Sequence, residues 1–238
     1  VSYSAGKIDN CHNEGNILFN NTGNIKGTCI GGIVCYQNGS ITNCTNKGNI
    51  TAYGKKFEGR NTIGSIDAGT NSTSSPAPNF AGIVALGYSS TGSPFAIDNC
   101  INYGNISYYW SEMDGSGTSG RTQLAGVICA PCGPVSNCHN YGDIEYLSSY
   151  LSEQRNCLSY VGGVVATNSG IIQSTSVSGN GISLGTERVA LIGNVYVGGV
   201  AAINNNQIQS TNNTMATVGT FVASANYRVG GVVSVNNG

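Results

Sequence analysis

The residues with the most reactive side chains are nine cysteines and two histidines. Cys129-Ala-Pro-Cys132 is followed by Cys138-His139, and cysteine and histidine at such spacings can bind zinc. Cys11-His12 repeats the second half of this pattern without another Cys-x-x-Cys beside it. We therefore expect these residues to belong to a repeat, and we predict no metal site and no cofactor.

Disulfide formation is the second chemistry that the cysteines allow. Cys35 and Cys44 have the same separation as Cys129 and Cys138, and each pair brackets a turn sequence, Asn-Gly or Cys-Gly-Pro. This spacing predicts a local disulfide within each pair, while reduced cysteines stacked in a ladder are the competing interpretation. So many cysteines also favour an oxidising, extracellular setting.

Acid–base catalysis has weaker support. His12 and His139 occupy one repeat position, at which Thr45 and Ile101 stand in other copies, so a place in the repeat explains them without catalysis. Few charged residues lie close enough in sequence to form a catalytic cluster. Those that do are Lys55, Lys56, Glu58, Arg60, Glu112 and Asp114. We predict that the protein is not an enzyme.

Two kinds of surface site are predicted. Tyr108-Tyr109-Trp110, and also the Tyr146/Tyr150 pair, could stack on sugars, or they could cover the side of the fold or pack in a subunit contact. The chain also contains Asn-x-Ser/Thr acceptors for glycosylation. The candidates are Asn20, Asn38, Asn49, Asn71, Asn105 and Asn212, while Asn43, beside Cys44, is expected to turn inward.

The elements that hold these residues follow from composition and repetition. Of the 238 residues, 35 are glycine, 39% are hydrophobic and only 9% are charged, and Val, Ile, Thr, Tyr, Asn and Ser outnumber the good helix formers, which predicts an all-β fold. The formal net charge of -1 argues against a nucleic-acid surface. No apolar run approaches the ~18 residues that cross a bilayer, so we expect no membrane insertion.

Two sequence elements recur along the chain. The first reads Ile8-Asp-Asn-Cys11-His-Asn-Glu-Gly15-Asn-Ile17 and returns at residues 41–50, 97–106 and 135–144, with weaker copies from Ile172 and Ile208. The second is a glycine, two apolar residues and a small residue. It begins at Gly32, Gly82, Gly126, Gly163, Gly199 and Gly231. Such repetition predicts a single elongated parallel β-helix or β-solenoid, in which like residues stack in columns.

The repeat assigns a role to its polar and small residues. Ile, Val and Cys would form inward ladders, and the Asn columns would hydrogen-bond along the axis or to the amides of turns. The glycines before the apolar pair would permit close backbone approach or a positive φ at corners.

These two elements together resemble the GLUG-motif repeats of bacterial surface proteins, including passenger regions of IgA-protease-like proteins. The last glycine of that motif is replaced here by Cys35, Ala85, Cys129, Ala166, Ala202 and Ser234. The resemblance implies a β-helix displayed on or outside cells, and it implies no reaction.

The chain is predicted to form one domain, 1–238. Residues 1–157 would hold cysteine-containing repeats with insertions at 52–80, 107–123 and 145–157, and residues 158–238 would hold more regular repeats. Such insertions leave the coil at corners and often carry the binding surface.

The first six residues overlay on the last six, so the chain ends at the phase of the repeat where it begins. This predicts an excerpt of a longer parent chain or copies that stack end to end as a homopolymer. We expect an extracellular or cell-surface structural protein that forms a fibre. The alternatives are an adhesin that binds glycans and, third, an enzyme that acts on polysaccharides.

Overall fold

The computed structural model describes residues 2–25, 28–57, 78–88, 95–110, 121–148, 158–185, 194–219 and 226–238. In these residues the chain forms only strands and turns, so the all-β prediction is confirmed. The described part contains no helix that could span a membrane.

The strands repeat in groups of five, and each group is called a coil. Coil 1 contains β1 (Tyr3–Ser4), β2 (Ile8–Asp9), β3 (His12–Asn13), β4 (Ile17–Ile25) and β5 (Cys29–Gly31). Coil 2 contains β6 (Val34–Asn38), β7 (Ser40–Thr42), β8 (Thr45–Asn46), β9 (Ile50–Phe57) and β10 (Asn79–Ala81). Coil 3 contains β11 (Val84–Tyr88), β12 (Ala96–Asp98), β13 (Ile101–Asn102), β14 (Ile106–Trp110) and β15 (Arg121–Ala125).

The same order continues to the end of the chain. Coil 4 contains β16 (Ile128–Ala130), β17 (Val135–Ser136), β18 (His139–Asn140), β19 (Ile144–Ser148) and β20 (Leu158–Gly162). Coil 5 contains β21 (Val165–Asn168), β22 (Ile172–Gln173), β23 (Ser176–Val177), β24 (Gly181–Leu184) and β25 (Asn194–Gly198). Coil 6 contains β26 (Ala201–Asn204), β27 (Ile208–Gln209), β28 (Asn212–Asn213), β29 (Thr217–Val218) and β30 (Asn226–Gly230), and β31 (Val233–Asn236) follows it.

Five parallel sheets run along the axis, because each strand pairs with its equivalents in the coils before and after it. Sheet 1 holds the first strand of every coil, together with β31, and sheets 2 to 5 hold the second to fifth strands. The pairing is in register, so that Ile41 lies beside Ile97 and Ile97 beside Val135. The β-solenoid predicted from the repeats is therefore confirmed.

Columns of aliphatic side chains fill the interior. Ile41, Val135 and Ile172 are fully buried in a cluster that runs through the coils, and Phe80 and Leu124 belong to a second cluster. Burying one such side chain stabilises the fold by about 1.5–3 kcal/mol. No single coil could enclose its own apolar face, so the stacking of coils provides the core.

The glycines of the second sequence element permit close packing. A Cβ atom at Gly82 would lie 2.2 Å from the carbonyl oxygen of Gly126 in the next coil and 2.2 Å from Cγ of Asn102. A Cβ atom at Gly126 would lie 2.0 Å from the carbonyl oxygen of Gly163. The expected close approach is confirmed at these corners.

Positive φ occurs at a different corner, between sheets 2 and 3. The first residue after the sheet 2 strand has a φ of 50° to 55° in all six coils. These residues are Asn10, Asn43, Asn99, Asn137, Ser174 and Ser210. Asn is among the residues that tolerate the left-handed region best, which explains why it precedes the cysteine in the first four copies.

Strands cover the outer parts of the three predicted insertions, since β9 extends to Phe57, β14 to Trp110 and β19 to Ser148. The remainder of each insertion lies outside the described residues. All three follow sheet 4 and precede sheet 5 in the chain, so they join the same two sheets in successive coils.

Candidate functional site

A column of thiols lies inside the corner between sheets 2 and 3. Cys44, Cys100 and Cys138 are fully buried, and each directly follows the residue with positive φ. Their Sγ atoms lie 3.2 Å, 3.4 Å and 3.0 Å from the carbonyl oxygen two residues earlier. Each thiol therefore closes its own corner from the inside.

Two thiols of this column, those of Cys44 and Cys100, are hard to ionise. The neighbouring Cys138 thiol, together with burial, raises the pKa of Cys100 to about 12. Contact with Cys100 and burial likewise raise the pKa of Cys44 far above its ordinary value. Since the thiolate is the nucleophile and the metal ligand, these cysteines are poor candidates for either role near neutral pH.

The structure does not join the cysteines that the local spacing paired. Cys35 and Cys44 are free thiols, as are Cys129 and Cys138. The Cys35 Sγ lies 2.9 Å from the carbonyl oxygen of Cys29, whereas Cys44 lies in the thiol column. Cys129 and Cys138 belong to separate clusters of the core. The cysteines instead contact residues in neighbouring strands and coils.

The histidines bind polar neighbours on the surface of the coil. His139 Nδ1 lies 2.6 Å from Ser176 Oγ, and His12 Nε2 lies 3.2 Å from Asn10 Oδ1. Among the residues that the structure describes, no three His, Cys, Asp or Glu side chains converge as metal ligands. The charged residues of the hypothetical catalytic clusters, namely Lys55, Lys56, Glu58, Arg60, Glu112 and Asp114, have side chains outside the described part.

The asparagines of the first sequence element form an internal ladder. Asn13 Nδ2 donates to Asn46 Oδ1 at 2.7 Å, Asn46 to Asn102 at 2.8 Å, and Asn102 to Asn140 at 2.8 Å. Each Nδ2 also donates to the carbonyl oxygen of the glycine two residues later, at 2.8–2.9 Å. The prediction that Asn columns bond along the axis is confirmed.

A second ladder forms in the later coils, in sheet 1 instead of sheet 3. Asn168 Nδ2 donates to Asn204 Oδ1, and Asn204 Nδ2 to Asn236 Oδ1, both at 2.6 Å. Asn168 also donates to the carbonyl oxygen of Gly170, again two residues later. In the column of the first ladder, the place after Asn140 is held by buried Val177.

The glycosylation candidates differ in accessibility. Asn20, Asn49, Asn105 and Asn212 are exposed, Asn38 is buried, and Asn71 lies outside the described residues. The Oδ1 atoms of Asn49 and Asn105 accept backbone N–H groups of the next coil, both at 2.9 Å. Burial of Asn38 would keep a transferase from its amide in the folded chain. Asn43, which was expected to turn inward, is exposed and donates to Asp9.

Two of the predicted sugar-stacking residues, Tyr108 and Tyr109, lie on opposite sides of strand β14. Tyr108 is fully buried and packs on Phe80 and Tyr146, with ring centroids 4.7 Å and 5.6 Å apart. Tyr109 faces outward, stacks on Tyr53 at 5.0 Å, and its hydroxyl donates to Glu145 at 2.5 Å. The side chains of Trp110 and Tyr150 lie outside the described residues. The alternation of a strand therefore places Tyr108 in the core and removes it as a sugar contact.

Stacked tyrosines recur on the surface. Tyr103 and Tyr141 have centroids 5.0 Å apart, and Tyr160 and Tyr196 have centroids 5.3 Å apart. In both cases the two rings come from consecutive coils, whose strands are about 4.8 Å apart. Because the rings stack on one another, their edges and hydroxyls are the parts most open to a ligand.

A groove between sheets 5 and 1 contains the Tyr160/Tyr196 stack. In sheet 5 the two tyrosines are in register with Arg228, whose Cζ atom lies 5.5 Å from the Tyr196 ring centroid. The groove has a volume of about 340 Å³. The rest of its lining is Thr167, Ser169, Ile203, Asn205, Val235 and Asn237. It is therefore a polar groove with one cationic end.

Arg228 has no carboxylate partner among the described residues. Along the described stretches 158–185, 194–219 and 226–238 it is the single charged side chain, and no described residue forms an ion pair with it. Sequence reasoning missed this groove. Its signal was present, since Tyr160, Tyr196 and Arg228 each precede a Val-Gly-Gly sequence in successive copies of the second element.

The ladders, the in-register columns and the five parallel sheets define a β-solenoid repeat protein. Residues 26–51 match the family model of the GLUG motif, which supports the resemblance carried by the Gly-apolar-apolar-small element. The match includes the Gly-Gly corner between β5 and β6 and the strand β7. Comparison with curated proteins and with solved structures gave no significant match.

Proposed function

We propose that this chain is a non-enzymatic structural rod that works outside the cell, as a segment of a fibre or of a surface stalk. The observation that supports the proposal is that the polar residues of the repeat form hydrogen bonds within the solenoid. The amides of Asn46, Asn102 and Asn140 and the thiols of Cys44 and Cys100 bond within the coil and between coils. The residues that recur most are thus engaged in holding the coils together.

The spacing of strands fixes the dimensions of the rod. Parallel strands are about 4.8 Å apart, so six coils give a length of roughly 30 Å. The extracellular setting draws support from the GLUG motif. The cysteines no longer argue for it, because the structure uses several of them as small buried side chains.

Fibre formation draws support from the pairing pattern. Every described strand pairs in parallel with its equivalents in adjacent coils, and such a pattern can be continued by further coils of a longer chain or by a second copy. Both routes give the same rod and differ only in whether the coils are covalently connected.

Electron microscopy of the native material tests the proposal. We expect rods or filaments with an axial spacing of about 4.8 Å between strands, and labelling of intact cells by an antibody against the folded chain. A protein that is labelled only after the cells are broken open, and that shows no rods in any native fraction, would contradict the proposal.

The groove of Tyr160, Tyr196 and Arg228 favours a second candidate function, which is glycan binding by a surface adhesin. Hydroxyls, amides and a guanidinium line this groove, and such donors suit a polyhydroxylated ligand that also carries a carboxylate. We expect acidic oligosaccharides to bind on a glycan array. R228Q should lower this signal at least ~10-fold, which is the cost of about 1.4 kcal/mol in binding.

A matched control removes a positive charge elsewhere. Lys47 pairs with Glu14 at 2.9 Å on the exposed surface of coils 1 and 2, so K47Q changes the net charge equally without touching the groove. Equal loss of binding in both variants, or binding of neutral sugars alone, would reject this function.

A further inference from the structure

The corner between sheets 5 and 1 brings together residues that are six places apart in the sequence. Ser234 Oγ donates to the carbonyl oxygen of Arg228 at 2.8 Å, and the Cys129 Sγ donates to that of Gln123 at 3.4 Å. The Cys35 Sγ makes the same contact with the carbonyl oxygen of Cys29, at 2.9 Å. The Gly-Gly turn thus places the fourth residue of the GLUG-like element against the strand before it.

The first of these corners is the one in which both positions hold cysteine. The equivalent pairs are Asn79/Ala85, Gln123/Cys129, Tyr160/Ala166, Tyr196/Ala202 and Arg228/Ser234. At this corner the Cys35 thiol is held against the backbone of Cys29, with its Sγ 2.9 Å from the Cys29 carbonyl oxygen. Both residues are partly exposed, unlike the buried cysteines of the thiol column.

We propose that Cys29 and Cys35 are the site of a disulfide that ties β5 to β6 across the Gly-Gly corner. The Cys35 thiol already lies against the backbone of Cys29 on the adjoining strand, and both residues are partly exposed, so a small oxidant can approach them from solvent. The proposal rests on this geometry and holds whether or not the chain is part of a fibre.

The surroundings assign the two cysteines different roles in oxidation. Tyr36 Oη lies 3.1 Å from the Cys29 Sγ, and Asn79 Nδ2 lies 3.7 Å from it. The hydrogen bond from Cys35 lowers the pKa of Cys29 most, and those from Tyr36 and Asn79 add to this effect, although burial opposes it. The hydrogen bond with Cys29, with burial, raises the pKa of Cys35. Cys29 is therefore the attacking thiolate and Cys35 the resolving thiol.

The reaction needs a disulfide as oxidant, and oxidised glutathione is a suitable one. The Cys29 thiolate attacks one of its sulfur atoms, the glutathione disulfide breaks, and one glutathione thiolate leaves. Cys35 then gives up its proton and attacks the Cys29 sulfur of the mixed disulfide, which releases the second glutathione. Two protein thiols are oxidised and one glutathione disulfide is reduced to two thiols.

Peptide mapping of the purified chain tests this proposal. After exposure to oxidised glutathione and alkylation of the remaining thiols, trypsin yields one peptide, 27–47, which contains Cys29, Cys35 and Cys44. Chymotrypsin then cuts this peptide after Tyr36. We expect a fragment 27–36 that is lighter by two hydrogen atoms and not alkylated, and a separate fragment 37–47 that is alkylated at Cys44.

Two variants complete the test. C44S should still give a fragment 27–36 that is lighter by two hydrogen atoms. C35S should leave Cys29 alkylated or trapped as its glutathione adduct. The proposal is overturned if the two fragments stay linked, which would mean a bond from Cys29 or Cys35 to Cys44. It is also overturned if Cys29 and Cys35 are both fully alkylated after oxidation. Because the reaction is run on purified protein, its failure says nothing against an extracellular rod.

Discussion

Ladders of asparagine side-chain amides connect the coils in both the first four coils and the later coils, but the two ladders lie in different sheets. In the first region, Asn13 to Asn140 stack where sheet 3 ends, and in the second, Asn168 to Asn236 stack where sheet 1 ends. In both, the Nδ2 atom bonds the next amide and a carbonyl oxygen two residues later. The ladder therefore depends on a local turn that brings the carbonyl oxygen two residues after the Asn to its Nδ2, in Asn-x-Gly or, at Asn204, in Asn-x-Asn, and not on one particular sheet.

Comparison of the two regions also shows which side chains can replace one another within a column. At the thiol column, Cys138 is followed by Thr175, whose buried hydroxyl has no hydrogen-bond partner. At the first ladder, Asn140 is followed by Val177, which packs beneath Gly163. A column can change from polar to apolar between coils when the side chain has a suitable volume.

The largest loss of stability is expected from substitution at the Gly-Gly corners, which both regions contain. In G126A the new Cβ would lie 2.0 Å from the carbonyl oxygen of Gly163 and 2.3 Å from Cγ of Asn140. We expect G126A to lose more than about 4 kcal/mol of unfolding free energy or not to fold. The matched control is G231A, because a Cβ at Gly231 meets nothing within 4 Å. Equal unfolding midpoints in urea for the two variants would contradict the packing described.

Breaking the first ladder should cost less. N102V removes the donor to Gly104 and to Asn140 and the acceptor for Asn46, and we expect a loss of about 3–5 kcal/mol. The reverse exchange, V177N, offers an amide to the end of the same ladder and should change stability by less than about 1 kcal/mol. Both are measured by urea unfolding. A column whose polarity does not matter would give two changes of equal size.

Substitutions between cysteine and threonine in the thiol column test how each region accommodates a buried thiol or hydroxyl. Thr175 buries a hydroxyl without a partner, so T175C should stabilise the fold by up to about 1 kcal/mol. C100T should destabilise it by about 1–2 kcal/mol, since it buries a hydroxyl in a coil that has accommodated a thiol. Thermal unfolding with a reducing agent present measures both. A C100T variant that is more stable than the natural chain would contradict this account of the column.

The smallest expected effect is a pH dependence of stability that arises from Asp9 in the first coil. Hydrogen bonds from Thr42, Asn43 and Lys7 lower the pKa of Asp9 to about 2 from the ordinary 3.8. A lowered pKa in the folded state stabilises the fold above the ordinary value, and this contribution disappears as the pH falls from about 4 through about 2. We therefore expect the difference in unfolding midpoint between the natural chain and D9N to shrink across this interval. A difference that stays constant between these pH values would contradict the assignment.

Much of the fold could be predicted from sequence, because each coil repeats the same side-chain types. The column of Ile41, Ile97 and Val135 follows directly from the aligned segments, and so does the Asn ladder. The corner residue with left-handed backbone was harder to predict. Asn43 is also part of a glycosylation sequence, and nothing in that sequence distinguishes a glycosylation site from a corner residue.

The candidate sites were less predictable because they depend on which columns face each other. Cys35 lies against Cys29 across the Gly-Gly corner, whereas local spacing favoured Cys44. Tyr108 and Tyr109 are adjacent in sequence, and only the phase of strand β14 makes one buried and the other accessible. Such facts follow from the stacking of coils, which a local motif does not contain.

The central claim is that the repeated asparagines hold the coils together, and exchange of their side-chain amide protons tests it most directly. In a ¹⁵N-labelled sample, the carboxamides of Asn46, Asn102 and Asn140 should exchange with solvent deuterium at least ~10³-fold more slowly than that of exposed Asn212. Exchange of the Asn102 carboxamide at the rate of Asn212 would contradict the ladder and the structural function built on it.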